Sequence, residues 1–244
     1  MRIAVIADVH ANLAALEAVL AEIDRRGVDR ICFAGDAVGY GPDPEACVAL
    51  IKERTGPGVA GNHDWGLIGK TPTVDFNFMA VDVLDWTRRE CIDEVRPMLD
   101  ALPLTTELTE AGLLLAHASP HEPARWRYAT GEGEVALAFR ATGSPVTVIG
   151  HSHVPFVAEM MEDGNIFFQG GFVGVKERKP GLRYLVNAGA VGQPRDQNPR
   201  AACAFIDEHA IEIVRVEYDV DHTVARLKER GLHLALGERL RYGF

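Results

Sequence analysis

Five times in this chain a short apolar run ends on residues able to bind a metal ion. Ile6-Ala7 precedes Asp8 and His10, and Phe33-Ala34-Gly35 precedes Asp36. Val59-Ala60-Gly61 precedes Asn62 and His63. Leu114-Leu115-Ala116 precedes His117, and Val148-Ile149-Gly150 precedes His151 and His153. Short continuous apolar runs fit buried strands. In an open α/β sheet, ligand sites form outside the carboxyl ends of the strands. The pattern therefore predicts converging strand ends that gather all eight polar residues. Five of the nine histidines fall in these positions. His121, His209, His222 and His233 lack such a setting and read as surface or packing residues.

The intervening sequence supplies the other elements. Asn12 can cap a helix whose stripe is Leu13, Leu16, Val19, Leu20 and Ile23, ending at Gly27. Residues 30–34 read as a strand. Asp43 and Pro44 open a second helix, closed by Gly56 and Pro57. Residues 65 to about 100 read as helical, with Met79, Val83 and Trp86 at helical spacing. They suggest a small cap-like insertion at about 66–100 within a single domain of residues 1–244. Strand patterns return at 113–115 and 146–149, with a helix at 134–141 between them. Residues 156–160 and 166–168 flank the hairpin signal Asp163-Gly164. Further strands at 184–186, 202–206 and 211–216 precede a last helix at 220–230. Early alternation followed by a strand-rich half predicts a mixed α/β fold with outer helices.

Composition narrows the function classes. Apolar residues make up 47% of the chain, and no run approaches the roughly 20 residues of a membrane span. The first residues read as a buried strand rather than a signal peptide, so a cytoplasmic location is expected. Cys32, Cys47, Cys91 and Cys203 form no Cys-x-x-Cys pair and are expected as free, packed thiols. The net charge of −10 argues against an electrostatic clamp for DNA or RNA.

Imidazole and carboxylate donors suit manganese, iron, zinc or nickel more than calcium. A carboxylate can bridge two such ions, and an ion pair roughly 3.5–4 Å apart suits phosphoryl transfer. Arg125, Arg127 and Arg195 are candidate phosphate contacts through their guanidinium forks. Tyr40 is placed either to stack on a base or to line the wall.

The motif set resembles the calcineurin-like metallophosphoesterase superfamily. The matching pieces are Asp8-Val9-His10, Gly35-Asp36, Gly61-Asn62-His63-Asp64, His117 and Gly150-His151-Ser152-His153, in the family's order. Residues 187–196 also look like a late motif of the small bacterial members. The resemblance implies two packed mixed sheets flanked by helices, a four-layer αββα sandwich. It implies two divalent metal ions, with manganese favoured. Asp8, His10 and His153 would hold one ion, and Asn62, His117 and His151 the other. Asp36 would bridge. His63 would bind phosphate and act as general acid, while a metal-bridging hydroxide attacks phosphorus. The implied substrate is a small phosphate mono- or diester, with nucleotides among the candidates.

One departure stands out. Family phosphatases carry an Asp-Arg pair shortly after the bridging Asp, and its acid orients the catalytic His. Here Gly39 and Tyr40 occupy those places. The departure favours a phosphodiesterase-like branch over protein phosphatases. The alternative is a non-catalytic metal-binding scaffold or sensor of the same fold.

Overall fold

The structure is a computed structural model that describes all 244 residues. The first part holds β1 (Ile3–Ile6), α1 (Leu13–Arg26), β2 (Arg30–Phe33), α2 (Pro44–Arg54), α3 (Asn62–Ile68) and α4 (Phe78–Ala101). The middle holds β3 (Thr105–Leu108), β4 (Leu113–Ala116), α5 (Glu132–Ala141), β5 (Val146–Ile149), β6 (Phe156–Met160) and β7 (Ile166–Gly170). The last part holds β8 (Gly174–Glu177), β9 (Arg183–Asn187), β10 (Ala201–Ile206), β11 (Ala210–Val216), α6 (Val220–Glu229) and α7 (Leu234–Tyr242).

The strands form two mixed sheets, ordered β2-β1-β10-β11-β8 and β3-β4-β5-β9-β6-β7. Alternation along each strand sorts its side chains between two cores. Ile3, Val5 and Ala7 join Leu113, Leu115, Val146, Val148 and Val186 in the layer between the sheets. Ala4 and Ile6 point the other way, into a core shared with Leu16, Val19, Leu20 and Ile23 of α1 and Ile51 of α2. On the far side, Val135, Ala138 and Phe139 of α5 cover Phe156, Ala158 and Leu185. The result is helix, sheet, sheet, helix. This is the expected four-layer order.

Local rules explain the helices. Asn12 caps α1 by accepting from the Ala15 amide at 3.3 Å. Pro44 sits in the first turn of α2, where its missing N–H costs nothing. The expected unbroken helix from 65 to about 100 is interrupted. Gly69, at φ +79°, ends α3, and Asn77 caps α4 by accepting from the Ala80 amide at 2.9 Å. The loop between them, residues 69–77, reaches toward the strand ends. Helix α4 itself buries Leu84, Cys91, Val95 and Leu99 against the α1–α2 core.

Three elements lay outside the sequence expectation. Strands β3 and β8 are short edge strands with exposed polar residues, so neither shows a full alternation. Helix α7 has little apolar contrast in its sequence and is held by Leu236 and Leu240, which pack with Leu227 of α6. No helix is long and apolar enough to cross a membrane.

Candidate metal centre

The five predicted runs do converge, four of them as strands β1, β2, β4 and β5, while Val59-Ala60 is a loop tied to β2 by a single bridge at Gly58. After β1, β2 and β5 the ligand loops turn through the left-handed region. Asp8, His10, Asp36, His151 and His153 have φ of 53°, 47°, 60°, 66° and 60°. Non-glycine residues rarely adopt this conformation, and its concentration at one place marks a constrained site. Close approach also dictates Gly61, where a Cβ would lie 2.0 Å from Asp36 Oδ1.

Main-chain carbonyls set the histidine rings. His10 Nδ1 meets Val38 O at 2.9 Å and His117 Nδ1 meets Ala34 O at 2.8 Å. His153 Nδ1 meets Gln193 O at 2.5 Å. Each contact fixes a tautomer with the proton on Nδ1 and leaves the Nε2 lone pair for a metal ion. His151 is reversed: its Nε2 meets Trp126 O at 2.9 Å, and Tyr128 stacks on its ring with centroids 4.1 Å apart.

The free nitrogens and carboxylates then crowd together. His10 Nε2 lies 3.1 Å from His153 Nε2, and His153 Nε2 lies 3.4 Å from Asp8 Oδ1. Asp36 Oδ2 lies 3.6 Å from His10 Nε2 and 3.3 Å from His117 Nε2. Donor atoms within 4.8 Å of one another define three groups: Asp8-His10-His153, His10-Asp36-His63 and Asp36-His117-His151. Asn62 Oδ1 and His117 Nε2 are buried and make no well-aligned hydrogen bond, although Asp36 Oδ2 lies 3.3 Å from the latter. Buried polar atoms are normally satisfied, so these orphans fit a cation as the missing partner. The nitrogen and oxygen donor set suits a divalent transition metal.

Electrostatics agree with the geometry. Burial raises the Asp8 carboxyl to about 7 and lowers His63 to about 4 and His151 to about 3. Burial likewise holds His10 and His153 neutral. Burial opposes charge on His117 too, but the Asp36 and Asp8 carboxylates outweigh it and raise the ring to about 9. Asp36 stays ionised despite burial because His117 and His63 face it. Neutral His10, His151 and His153 suit a divalent cation as they stand, whereas His117 would release a proton to bind one.

Several supporting residues escaped the sequence reading. Asp64 was visible as the end of its motif but had no assigned task. Its carboxylate accepts the amides of Asp36, Ala37 and Gly61 at 2.9, 2.9 and 3.0 Å, and that of Val38 at 3.3 Å. It thereby ties two ligand loops together. Asn187 donates to Gly150 O at 2.6 Å and to Ser152 Oγ at 3.0 Å, holding the loop of His151 and His153. Gln193 holds His153 through its carbonyl and Arg195 through its side chain, at 3.0 Å.

Beside the ligands opens a cavity of about 630 Å³ whose wall includes Asn62, His63, Tyr40, Trp126, Tyr128 and Arg195. Of the predicted arginines, Arg195 reaches it and Arg125 lies at its margin, 3.2 Å from Glu122. Arg127 does not line it; half-exposed, it sits 3.4 Å from Glu122. Arg239, from α7, also lines the cavity and carried no motif in the sequence. His121, His209, His222 and His233 stay outside all three donor groups, as expected.

Fold and site together define a metallophosphoesterase architecture. The calcineurin-like phosphoesterase superfamily domain matches residues 1–209, and the chain belongs to that family. It is 40% identical over 245 residues to the uncharacterized protein MJ0912 of Methanocaldococcus jannaschii, covering 99% of this chain and 98% of that one. The crystal structure of a metallophosphoesterase from Sphaerobacter thermophilus shares 38% identity and a TM-score of 0.86, with both chains fully covered. The hypothetical protein PH1004 of Pyrococcus horikoshii, at 18% identity and a TM-score of 0.79, shares the fold over 100% of this chain and 98% of its own.

Proposed function

We propose that the chain is a two-metal phosphoesterase that hydrolyses small phosphodiesters in preference to phosphoproteins. Asp36 carries this reading. One of its oxygens lies near both His10 Nε2 and His117 Nε2, at 3.6 and 3.3 Å. A single carboxylate near both rings supports the two-ion reading. Asp8, His10 and His153 would hold one, and Asn62, His117 and His151 the other. When bound, two such ions supply Lewis acidity toward phosphate oxygens and a water of lowered pKa.

The chain's own residues do the rest. His63 borders the cavity and is placed to give a proton to the leaving oxygen. Rings on several sides hold it: Tyr40 at 4.7 Å, and Phe76 and His10 each at 4.8 Å between centroids. Trp126 and Tyr128 give the leaving group an apolar wall, and Arg195 adds positive charge. Gly39 and Tyr40, in place of the Asp-Arg pair, support diesters over phosphoproteins. Manganese is the favoured ion, and a small ester, nucleotides included, is the substrate class.

Chelator-stripped protein reloaded with manganese should take up two ions per chain and hydrolyse bis(p-nitrophenyl) phosphate. Asp36→Asn should lower both metal content and turnover. Full loading without turnover on any mono- or diester would overturn the enzyme reading and leave the scaffold alternative.

A further inference from the structure

The cavity beside the metal centre carries two arginines that no acidic side chain neutralises. Arg195 and Arg239 come from opposite parts of the late sequence, yet both lie over one ring. Their guanidinium carbons are 5.6 and 5.8 Å from the Tyr40 centroid. Arg195 gives one hydrogen bond, to Gln193 Oε1 at 3.0 Å, and its buried Nε has no partner. Arg239 Nε donates at 2.7 Å to an oxygen of Phe244, the last residue, whose terminal carboxylate offsets part of its charge and leaves the other guanidinium N–H groups for the cavity. Neither meets an Asp or Glu side chain, whereas Arg125 and Arg127 nearby both pair with Glu122. The acid on the same cavity, Asp75, sits exposed at its margin.

Two half-buried like charges side by side are costly unless something compensates them. The Tyr40 ring offers part of that through cation–π contact. In a protein of net charge −10, neither arginine forms an ion pair with an Asp or Glu side chain. The same ring touches His10 and His63, at 4.8 and 4.7 Å, so the pair stands one side chain away from the metal centre.

We infer that Arg195 and Arg239 form a second anion subsite, which binds a phosphate group of the substrate other than the one hydrolysed. The inference rests on the phosphoesterase reading and narrows its substrate class to molecules with two phosphate groups near each other. A guanidinium pair suits such a group because each fork can grip two oxygens.

The test uses the manganese-loaded protein and two probes, orthophosphate and non-hydrolysable methylenediphosphonate, titrated by calorimetry. Metal content is measured before and after. The wild type should bind the diphosphonate at least about tenfold more tightly than orthophosphate. Arg195→Gln and Arg239→Gln should each reduce that ratio to about threefold or less. Arg89→Gln, exposed and remote, makes the same charge change and should keep the ratio. The subsite is overturned if the wild type shows no preference or if either variant keeps it. It is also overturned if both affinities fall by one common factor, which would assign the arginines to the scissile phosphate. Bis(p-nitrophenyl) phosphate has no second anion. Failure to hydrolyse it would count against the phosphoesterase reading, while the calorimetric ratio would still decide the subsite.

Discussion

Gly39 lies directly against His63: a Cβ at residue 39 would stand 2.4 Å from His63 Nδ1. That nitrogen is buried and has no hydrogen-bond partner. The carboxylate that orients this histidine in family phosphatases is therefore absent, and no side chain fits in its place. Ring packing by Tyr40, Phe76 and His10 positions His63 instead.

This predicts that Gly39→Asp will not raise phosphoesterase turnover. Gly39 has φ +92°, a conformation that strains other residues by about 1–3 kcal/mol, and the collision adds to that. The variant should melt at a lower temperature and turn over more slowly than wild type. A rise in kcat for Gly39→Asp would show that His63 lacks an acid rather than being held by packing.

His63→Ala should lower kcat by roughly 10²–10⁴-fold on esters with alkyl leaving groups. The loss should be smaller with p-nitrophenol, whose departure needs less proton assistance. Metal content should stay at the wild-type level. Equal losses across leaving groups would remove His63 from the proton-donor role.

Asp64→Asn replaces one carboxylate oxygen, in a cluster of four amide donors, by another donor. Unpaired buried donors and the lost charge should cost about 3 kcal/mol. For a chain of this size that is a fall in Tm of roughly 6–12 °C. Metal content should fall too, because Asp36 loses the backbone anchor that aims it. Thermal melts and metal analysis of the purified variant check both.

Metal loading should stabilise the fold. A ligand that binds only the native state at 100 times its Kd adds roughly 2.7 kcal/mol per site. Stripped protein titrated with manganese should show a rising Tm. The rise should shrink on acidification, because imidazole and carboxylate ligands must be deprotonated to bind. An unchanged Tm at saturating manganese would contradict a built metal site.

The four cysteines are free and buried. Burial raises Cys32, Cys91 and Cys203 from an ordinary 9.0 to about 12. At pH 8 the native thiols should resist a disulfide reagent, and all four should react once unfolded. The stability consequence has a definite sign. Above pH 9 the unfolded chain loses thiol protons while the folded chain keeps them. Stability should therefore fall from about pH 9 toward pH 12. Denaturant melts at pH 8 and pH 10.5 of wild type and a Cys203→Ala variant measure that slope.

The sequence by itself determined β1, β2, β4 and β5, because each buried run ends just before the residues it delivers, while the run at Val59-Ala60 delivers Asn62 and His63 without forming a strand. It also determined α1, whose stripe and Asn12 cap are local patterns. The eight candidate ligand and catalytic positions were legible for the same reason: residue type and place in the strand coincide. Tertiary structure alone decided the rest. Edge strands β3 and β8 bury too little to leave a pattern. The break at residues 69–77 depends on a loop meeting the cavity. Asp64 acts through amides of a loop some 27 residues upstream, as in its bond to Ala37. The gathering of Arg195 and Arg239 over Tyr40 joins positions far apart in the chain, which only the packing of α7 brings together. Gly39 shows both sides. The missing acid could be read from the sequence, but that the space belongs to the His63 ring could not, since close packing is a property of the folded whole.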